Sequence, residues 1–336
     1  MAGGRTQRSA WRAWRWLIWA LAPALFVGRS TPVRAEETPQ VAEPAARDDG
    51  TTAPDEAADG KAAAGKLRAD QFVRIVRDDQ QRPERLETSV IRFVGPHPQG
   101  GELQVDLVSA VHLGDKPYYE ELNQRFAKYD AVLYELVAPE GTRIPRGGPG
   151  SSRHPLGAAQ QGMGGALDLT FQLEEVDYTP AHFKHADLSP EEFAESMKQK
   201  DESVLKMVFK AMGHAMATQT SSTNGAADAK MLAAMLADNR PLEMKRVMAE
   251  QMANLELATS VFDSPGGSTL ISVRNQRAID VLAREVADGR RKVAIFYGGA
   301  HMPDMAAKLQ QAWPLVAQQP EWLTAWNLAE PADQPK

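Results

Sequence analysis

The chain is predicted to fold as an α/β protein with a mainly parallel central sheet flanked by helices. Two observations carry that expectation. Between residues 103 and 135 an alternating apolar strand, an amphipathic stretch and a short apolar run follow one another within about 30 residues. A strand-helix-strand unit of that length joins parallel strands through a helical crossover. The pattern returns near the end of the chain, where a helical stretch at about 268–288 leads into the apolar run 292–297 and then a second helical stretch.

Ahead of these elements, residues 1–35 have the three parts of a secretory signal. Arg5, Arg8, Arg12 and Arg15 form a basic start with no acidic residue before Glu36, Trp16 to Val27 form an apolar run, and Val33-Arg34-Ala35 is a small-residue cleavage pattern. The apolar run holds 12 residues, including Pro23; a bilayer span needs roughly 20. The expectation is an exported protein, periplasmic or secreted, without an integral membrane span once the signal is cleaved. Losing residues 1–35 removes six arginines and no acid, so the formal charge moves from −6 to −12. That balance is a poor match for nucleic acid or anionic membrane, which are met by basic patches, and neither is expected as a partner. The absence of cysteine rules out disulfides, thiolate metal sites, a cysteine nucleophile and a lipid-modified cysteine.

Residues 36–66 are Ala, Glu, Asp, Pro, Gly and Thr with almost no large apolar side chain, a composition that cannot offset chain entropy and is read as a disordered tether. One domain follows at 67–330. It opens with two extended stretches, Phe72 to Val76 and Leu86 to Val94, separated by polar residues 77–84 and read as an N-terminal β-hairpin. Leu103, Val105 and Leu107 alternate with polar residues up to Val111-His112, a strand. Asp115 suits a helix cap and Pro117 a first turn, and Tyr118, Leu122, Phe126 and Tyr129 share a helical face. Ala131 to Tyr134 is a buried strand ending at Glu135.

Residues 141–165 contain eight glycines and read as a long loop. A helical insertion at about 187–262 begins at the capping box Ser189-Pro190-Glu191-Glu192. Nine of the 13 methionines fall between Met197 and Met252. They suit either ordinary helical core or an adaptable apolar cover over a groove, and the polar stretch 219–228 interrupts the helices. A helix at about 268–288 is stopped by Gly289. Lys292 to Tyr297 is a buried strand, Gly298-Gly299-Ala300-His301 a tight turn, and Pro303 to Trp313 a helix with Met305, Leu309 and Trp313 inward.

His112, Glu135 and His301 each stand at the end of an apolar strand. In an open parallel sheet, ligands collect in the crevice beyond the carboxyl ends of the strands. Two imidazoles and one carboxylate make a divalent-metal ligand set with open positions for water. The same trio also serves without metal, one His as general base and Glu135 orienting it. Arg274 shares its helical face with Leu270, Ala278 and Val281, and an inward guanidinium requires an anionic partner. That partner is either a core carboxylate or a substrate carboxylate or oxyanion, with Asn275 placed to add a hydrogen bond. His182-Phe183-Lys184-His185-Ala186-Asp187 has ligand-type spacing, but Pro180 and the cap at Ser189 make it a connecting segment with a surface or substrate-contacting role. His97, His154 and His214 sit in polar or glycine-rich surroundings and are expected to be solvated. Gly298-Gly299 lacks the third glycine and later acid of a dinucleotide fingerprint.

Four motifs, Ser109-Ala110-Val111-His112-Leu113-Gly114, Tyr134-Glu135-Leu136, Val273-Arg274-Asn275 and Gly298-Gly299-Ala300-His301-Met302-Pro303, occur in an order and at spacings that resemble the TraB–GumN–Tiki family. The resemblance is strongest over about 100–136 and 270–310. Ser109 stands where the family pattern has glycine, which alters how closely a ligand approaches the first strand end. The resemblance implies metal-dependent proteases at the cell surface, haem- or iron-binding lipoproteins, or esterases that use His and Glu without metal. The missing lipoprotein cysteine speaks against the haem-uptake type, and the strained elbow of a serine nucleophile is not evident around Ser109.

The expectation is therefore an exported, metal-assisted hydrolase of a peptide or ester bond, with a peptide or small molecule as substrate. His112, Glu135 and His301 hold Mn²⁺, Zn²⁺ or Co²⁺, Glu135 is ligand or base, Arg274 and Asn275 assist, and Ser109, Gly298 and Gly299 shape the loops. The rival expectation is a haem-, iron- or peptide-binding protein of the same fold.

Overall fold

A computed structural model describes residues 67–147, 167, 169–202, 230, 232–257 and 268–330. The secretory signal, the tether, most of the glycine-rich loop, His154, His214 and residues 203–229 of the methionine-rich stretch lie outside the described residues.

In chain order the strands and helices are β1 Val73–Arg77, β2 Pro83–Pro96, β3 Glu102–Ala110, β4 Leu113–Gly114, α1 Lys116–Phe126, β5 Ala131–Tyr134, β6 Thr170–Phe171, α2 Gln172–Glu175, β7 Phe183–His185, α3 Pro190–Gln199, α4 Arg240–Leu257, α5 Arg274–Ala287, β8 Lys292–Gly298, α6 Met302–Ala312, β9 Val316–Ala317 and β10 Glu321–Asn327. A π-helical turn, Thr269–Val273, leads into α5, and a 3-10 turn, Gly299–His301, leads into α6.

The main sheet is mixed. β3, β8, β5 and β7 lie side by side and parallel. On the other flank β2 runs antiparallel to β3 and also pairs with β1, β9 and β10. The parallel arrangement read from the sequence thus describes the half of the sheet that ends at the candidate site. The antiparallel half arises because β2, 14 residues long, reaches past β3 and takes a separate set of partners at each end.

Local chemistry explains the helix starts. Ser189 Oγ accepts the Glu192 N–H at 3.1 Å while Glu192 Oε2 accepts the Ser189 N–H at 2.8 Å, closing the capping box of α3. Asp115 precedes α1, but its carboxylate is turned away from the helix, taking Lys245 Nζ at 2.5 Å and the Asn327 N–H at 2.6 Å. This cap residue ties α4 and β10 to the start of α1 instead.

Apolar side chains bury on both faces of the sheet. On one face Tyr118, Tyr119, Leu122 and Phe126 of α1 pack with Val132, Tyr134, Phe296 and Trp326. On the other, Ala278, Leu282, Met305 and Leu309 of α5 and α6 pack on Leu107, Leu133, Ile295 and Tyr297. A sheet covered on both faces explains why β5 and β8 are continuous apolar runs. Met244 and Met248 pack against the first face, whereas Leu232, Met235 and Leu236 are exposed. Among the described residues no helix is long and apolar enough to cross a membrane.

Candidate functional site

Each of the four parallel strands delivers a chemically active side chain at its carboxyl end. Ala110 at the end of β3 pairs with Gly298 of β8, and Tyr134 at the end of β5 pairs with Phe296 of β8 and His185 of β7. His112, Glu135 and Asp187 stand one or two residues beyond the strand ends, and His301 ends the turn that follows β8. This is the crevice in which open α/β sheets bind ligands.

The space in front of Gly298 shows how closely these groups approach. A β-carbon at that position would lie 3.4 Å from Glu135 Oε2, 4.0 Å from His112 Nε2 and 4.0 Å from His301 Cδ2. The glycine has φ −55° and ψ 146°, a conformation open to any residue, so its missing side chain matters for room and not for backbone geometry. His112, Glu135 and His301 therefore border one space, with His112 exposed and His301 buried.

Glu135 is held at both oxygens. Oε2 accepts the Gly298 N–H at 2.8 Å, and Oε1 accepts Arg274 Nη2 at 2.7 Å and lies 3.4 Å from His301 Nε2. Burial by itself would raise its carboxyl pKa. The neighbouring His301, Arg274 and His112 outweigh burial and hold it well below the usual carboxylate range.

Arg274 begins α5 directly after the π-helical turn, a distortion frequent at functional sites. The turn is pinned by Ser268 Oγ, which accepts the Ile271 N–H, by Glu202 Oε2, which accepts the Thr269 N–H at 3.0 Å, and by Ser196 Oγ 2.8 Å from Thr269 Oγ1. The guanidinium donates from Nε to Asp187 Oδ1 at 2.9 Å and from Nη2 to Asp187 Oδ2 at 2.6 Å, besides its bond to Glu135. Two carboxylates therefore answer the demand for an anionic partner. Only Nη1 has long contacts, 3.5 Å to the Leu270 carbonyl and 3.4 Å to His301 Nε2. Burial lowers the guanidinium pKa, but Glu135 and Asp187 more than reverse that, so Arg274 stays charged.

Asp187 is the residue that sequence reasoning missed in this role. The sequence groups it with His182 and His185 in a surface or substrate-contacting segment; its side chain is instead fully buried. The segment is an edge strand, and its histidines point elsewhere. His182 Nε2 lies 3.2 Å from the Phe126 carbonyl and His185 Nε2 2.6 Å from the Leu136 carbonyl. His97, expected in solvent, is 3% exposed, because the β2–β3 turn folds onto the end of α5, where Gln99 Nε2 donates to the Ala287 carbonyl at 2.7 Å.

Asn275 supports His301 and has no room for substrate. It is fully buried, its Nδ2 donates to the His301 carbonyl at 2.9 Å and to Asp304 Oδ2 at 2.8 Å, and its Oδ1 lies 2.7 Å from His301 Nδ1. With the amide fixed by its two acceptors, its oxygen faces Nδ1, which carries a proton and donates to it.

Ser109 is wholly buried on β3, and its Oγ has no hydrogen-bond partner among the described residues. It is out of reach of any substrate. A buried unpaired hydroxyl is destabilising, so Ser109→Ala is expected to raise the unfolding free energy by about 1 kcal/mol in urea titration.

A divalent ion does not fit these donors as they stand. Glu135 Oε1 and His301 Nε2 are 2.7 and 3.4 Å from guanidinium nitrogens of Arg274. A cation taking both would meet a fixed positive charge at contact distance, an unfavourable pairing in a buried setting. Among the described residues no group of three or more His, Asp or Glu side chains is arranged to hold a metal ion. No family model, curated protein or solved structure matches the chain.

Proposed function

We propose that this protein is an exported hydrolase of acyl bonds, peptide or ester, of the TraB–GumN–Tiki type, working through its imidazoles and Glu135. The observation that carries the reading is the meeting of His112, Glu135 and His301 around the bare Cα of Gly298. A water in that space lies between two imidazoles. His112, exposed at the mouth, takes the proton as the water oxygen attacks the carbonyl carbon. The imidazolium so formed faces the fixed charge of Glu135. Arg274 Nη1, the least engaged donor of the guanidinium, stabilises the oxyanion. Collapse breaks the bond to the leaving group, which receives the proton back from His112. Glu135, ionised and bonded at both oxygens, serves as electrostatic anchor and not as base.

We read the opening strands β1 and β2 as an N-terminal hairpin, residues about 187–262 as a helical insertion, 1–35 as the export signal and 36–66 as the tether.

The test is hydrolysis of a panel of N-acyl peptides and activated esters by the purified chain, with and without a chelator. Turnover is expected to survive chelation and to fall by about 10²–10⁴-fold in His112→Ala. Loss of all turnover in chelator would overturn the metal-free mechanism, and undiminished turnover in His112→Ala would overturn the site.

A further inference from the structure

We infer that Asp304 is a positioning residue of the candidate site: acting through Asn275, it sets which ring nitrogen of His301 is held and which is presented to Glu135 and the space at Gly298. The consequence for turnover rests on the hydrolase reading; the positioning itself does not.

The arrangement begins where two helices start. Arg274 and Asn275 are consecutive on α5 but reach in different directions, Arg274 to Glu135 and Asp187, Asn275 to His301 and Asp304. His301 closes the 3-10 turn after β8, and Asp304 stands in the first turn of α6. A carboxylate in that place is favoured by the helix dipole and needs no side-chain partner. Asp304 has one nonetheless, since its Oδ2 accepts Asn275 Nδ2 at 2.8 Å from the neighbouring helix.

An amide nitrogen carries two hydrogens, and Asn275 uses both, one on Asp304 and one on the His301 carbonyl at 2.9 Å. Turned over, the amide would set its oxygen against these two acceptors and an N–H against His301 Nδ1. The carboxylate weighs more than the carbonyl in this choice, because hydrogen bonds to charged groups are the stronger ones. With Asn275 Oδ1 facing it at 2.7 Å, Nδ1 keeps a proton. The opposite edge of the ring meets the site. Nε2 lies 3.4 Å from Glu135 Oε1, and Cδ2 would be 4.0 Å from a β-carbon at position 298. Tyr297 packs edge-on against the ring, with centroids 5.3 Å apart, and limits its tilt. Asp304 thus reaches the ring across Asn275, through two hydrogen bonds. The wrong tautomer is by itself enough to disable a catalytic imidazole.

The experiment uses the purified chain with isotope-labelled histidine. The His301 ring nitrogens are read by long-range proton–nitrogen NMR and assigned by their loss in His301→Gln. Wild type is expected to show a single form with the proton on Nδ1, exchanging slowly with solvent. Asp304→Ala should mix the two tautomers or speed that exchange by at least about tenfold. Asp304→Asn offers an uncharged oxygen to the same amide and should restore part of the wild-type signal. An unchanged His301 signal in folded Asp304→Ala overturns the inference, and a lowered Tm beside it would assign Asp304 to the start of α6 alone. Turnover of the peptide and ester panel is read on the same samples. Asp304→Ala should lower kcat about tenfold with KM little changed, and should add nothing to Asn275→Ala, because Asp304 acts through that amide. A separate loss in the Asn275→Ala background overturns the inference, as does wild-type kcat from a protein with mixed tautomers. Absence of turnover from wild type removes the hydrolase reading, and the NMR result then decides for Asp304 by itself.

Discussion

Replacing Arg274 with methionine is expected to destabilise the fold by about 3–5 kcal/mol at neutral pH, read as the loss of unfolding free energy in urea. The residue is 7% exposed, and its side chain is the cation for two carboxylates. Methionine fills much of the volume, so the deficit is chiefly electrostatic: Asp187, fully buried, and Glu135 would face each other without a counter-charge. Against a typical total of about 5–15 kcal/mol, the loss is large enough to unfold part of the population. The origin of the deficit is separable. Adding Asp187→Asn to Arg274→Met removes one stranded charge and is expected to restore part of the stability, whereas a loss that came from packing would be unaffected or deepened. Arg274→Lys keeps the charge but not the fork that reaches Asp187 and Glu135 together, and is expected to fall between wild type and methionine.

Glu135→Gln is expected to remove turnover and to leave a pH signature that identifies why. The carboxyl sits well below its usual range in the folded chain, despite burial, because of His301, Arg274 and His112. A depressed folded pKa contributes stability that is fully present above the unfolded value, roughly 4.3, and is lost as pH falls through the folded value. The stability gap between wild type and Glu135→Gln should therefore be constant from pH 8 down to about 5 and shrink only in stronger acid. A gap that closed between pH 8 and 6 would show that the ionised carboxylate is not what holds this cluster.

The strands and helix around His112 and Glu135 were legible in the sequence because their signals are local. Leu103, Val105 and Leu107 alternate, α1 repeats its large side chains at helical spacing, and Ala131 to Tyr134 is a clean apolar run. His112, Glu135 and His301 stood out because each is polar at the end of such a run. Arg274 stood out as a charged side chain on an inward helical face with Asn275 beside it, and the family pattern holds the same pair, while their partners had to come from the fold. Asp187 was hidden for a physical reason. β7 has three residues, too few for a period to register, and a carboxylate buried by pairing 87 positions away leaves no local trace.

The antiparallel half of the sheet was hidden differently. β10 pairs with β2 across a register shift between Thr324 and Trp326, so that both Ala325 and Trp326 are buried and the two-residue alternation is broken. The π-helical turn before Arg274 likewise depends on Ser196 and Glu202, more than 60 residues away.

The proposed place of acyl cleavage is the space at Gly298 bordered by His112, Glu135 and His301. Gly298→Ala tests it most directly. The backbone there suits any residue, and a methyl group would meet its neighbours at 3.4–4.0 Å, ordinary contact distances, so the variant should fold with a Tm near that of wild type. The same methyl group would occupy the position required by the attacking water. Measured side by side on the peptide and ester panel at equal folded protein, Gly298→Ala is expected to lose at least about 100-fold in kcat. Wild-type turnover from a normally folded Gly298→Ala protein would place the cleavage elsewhere.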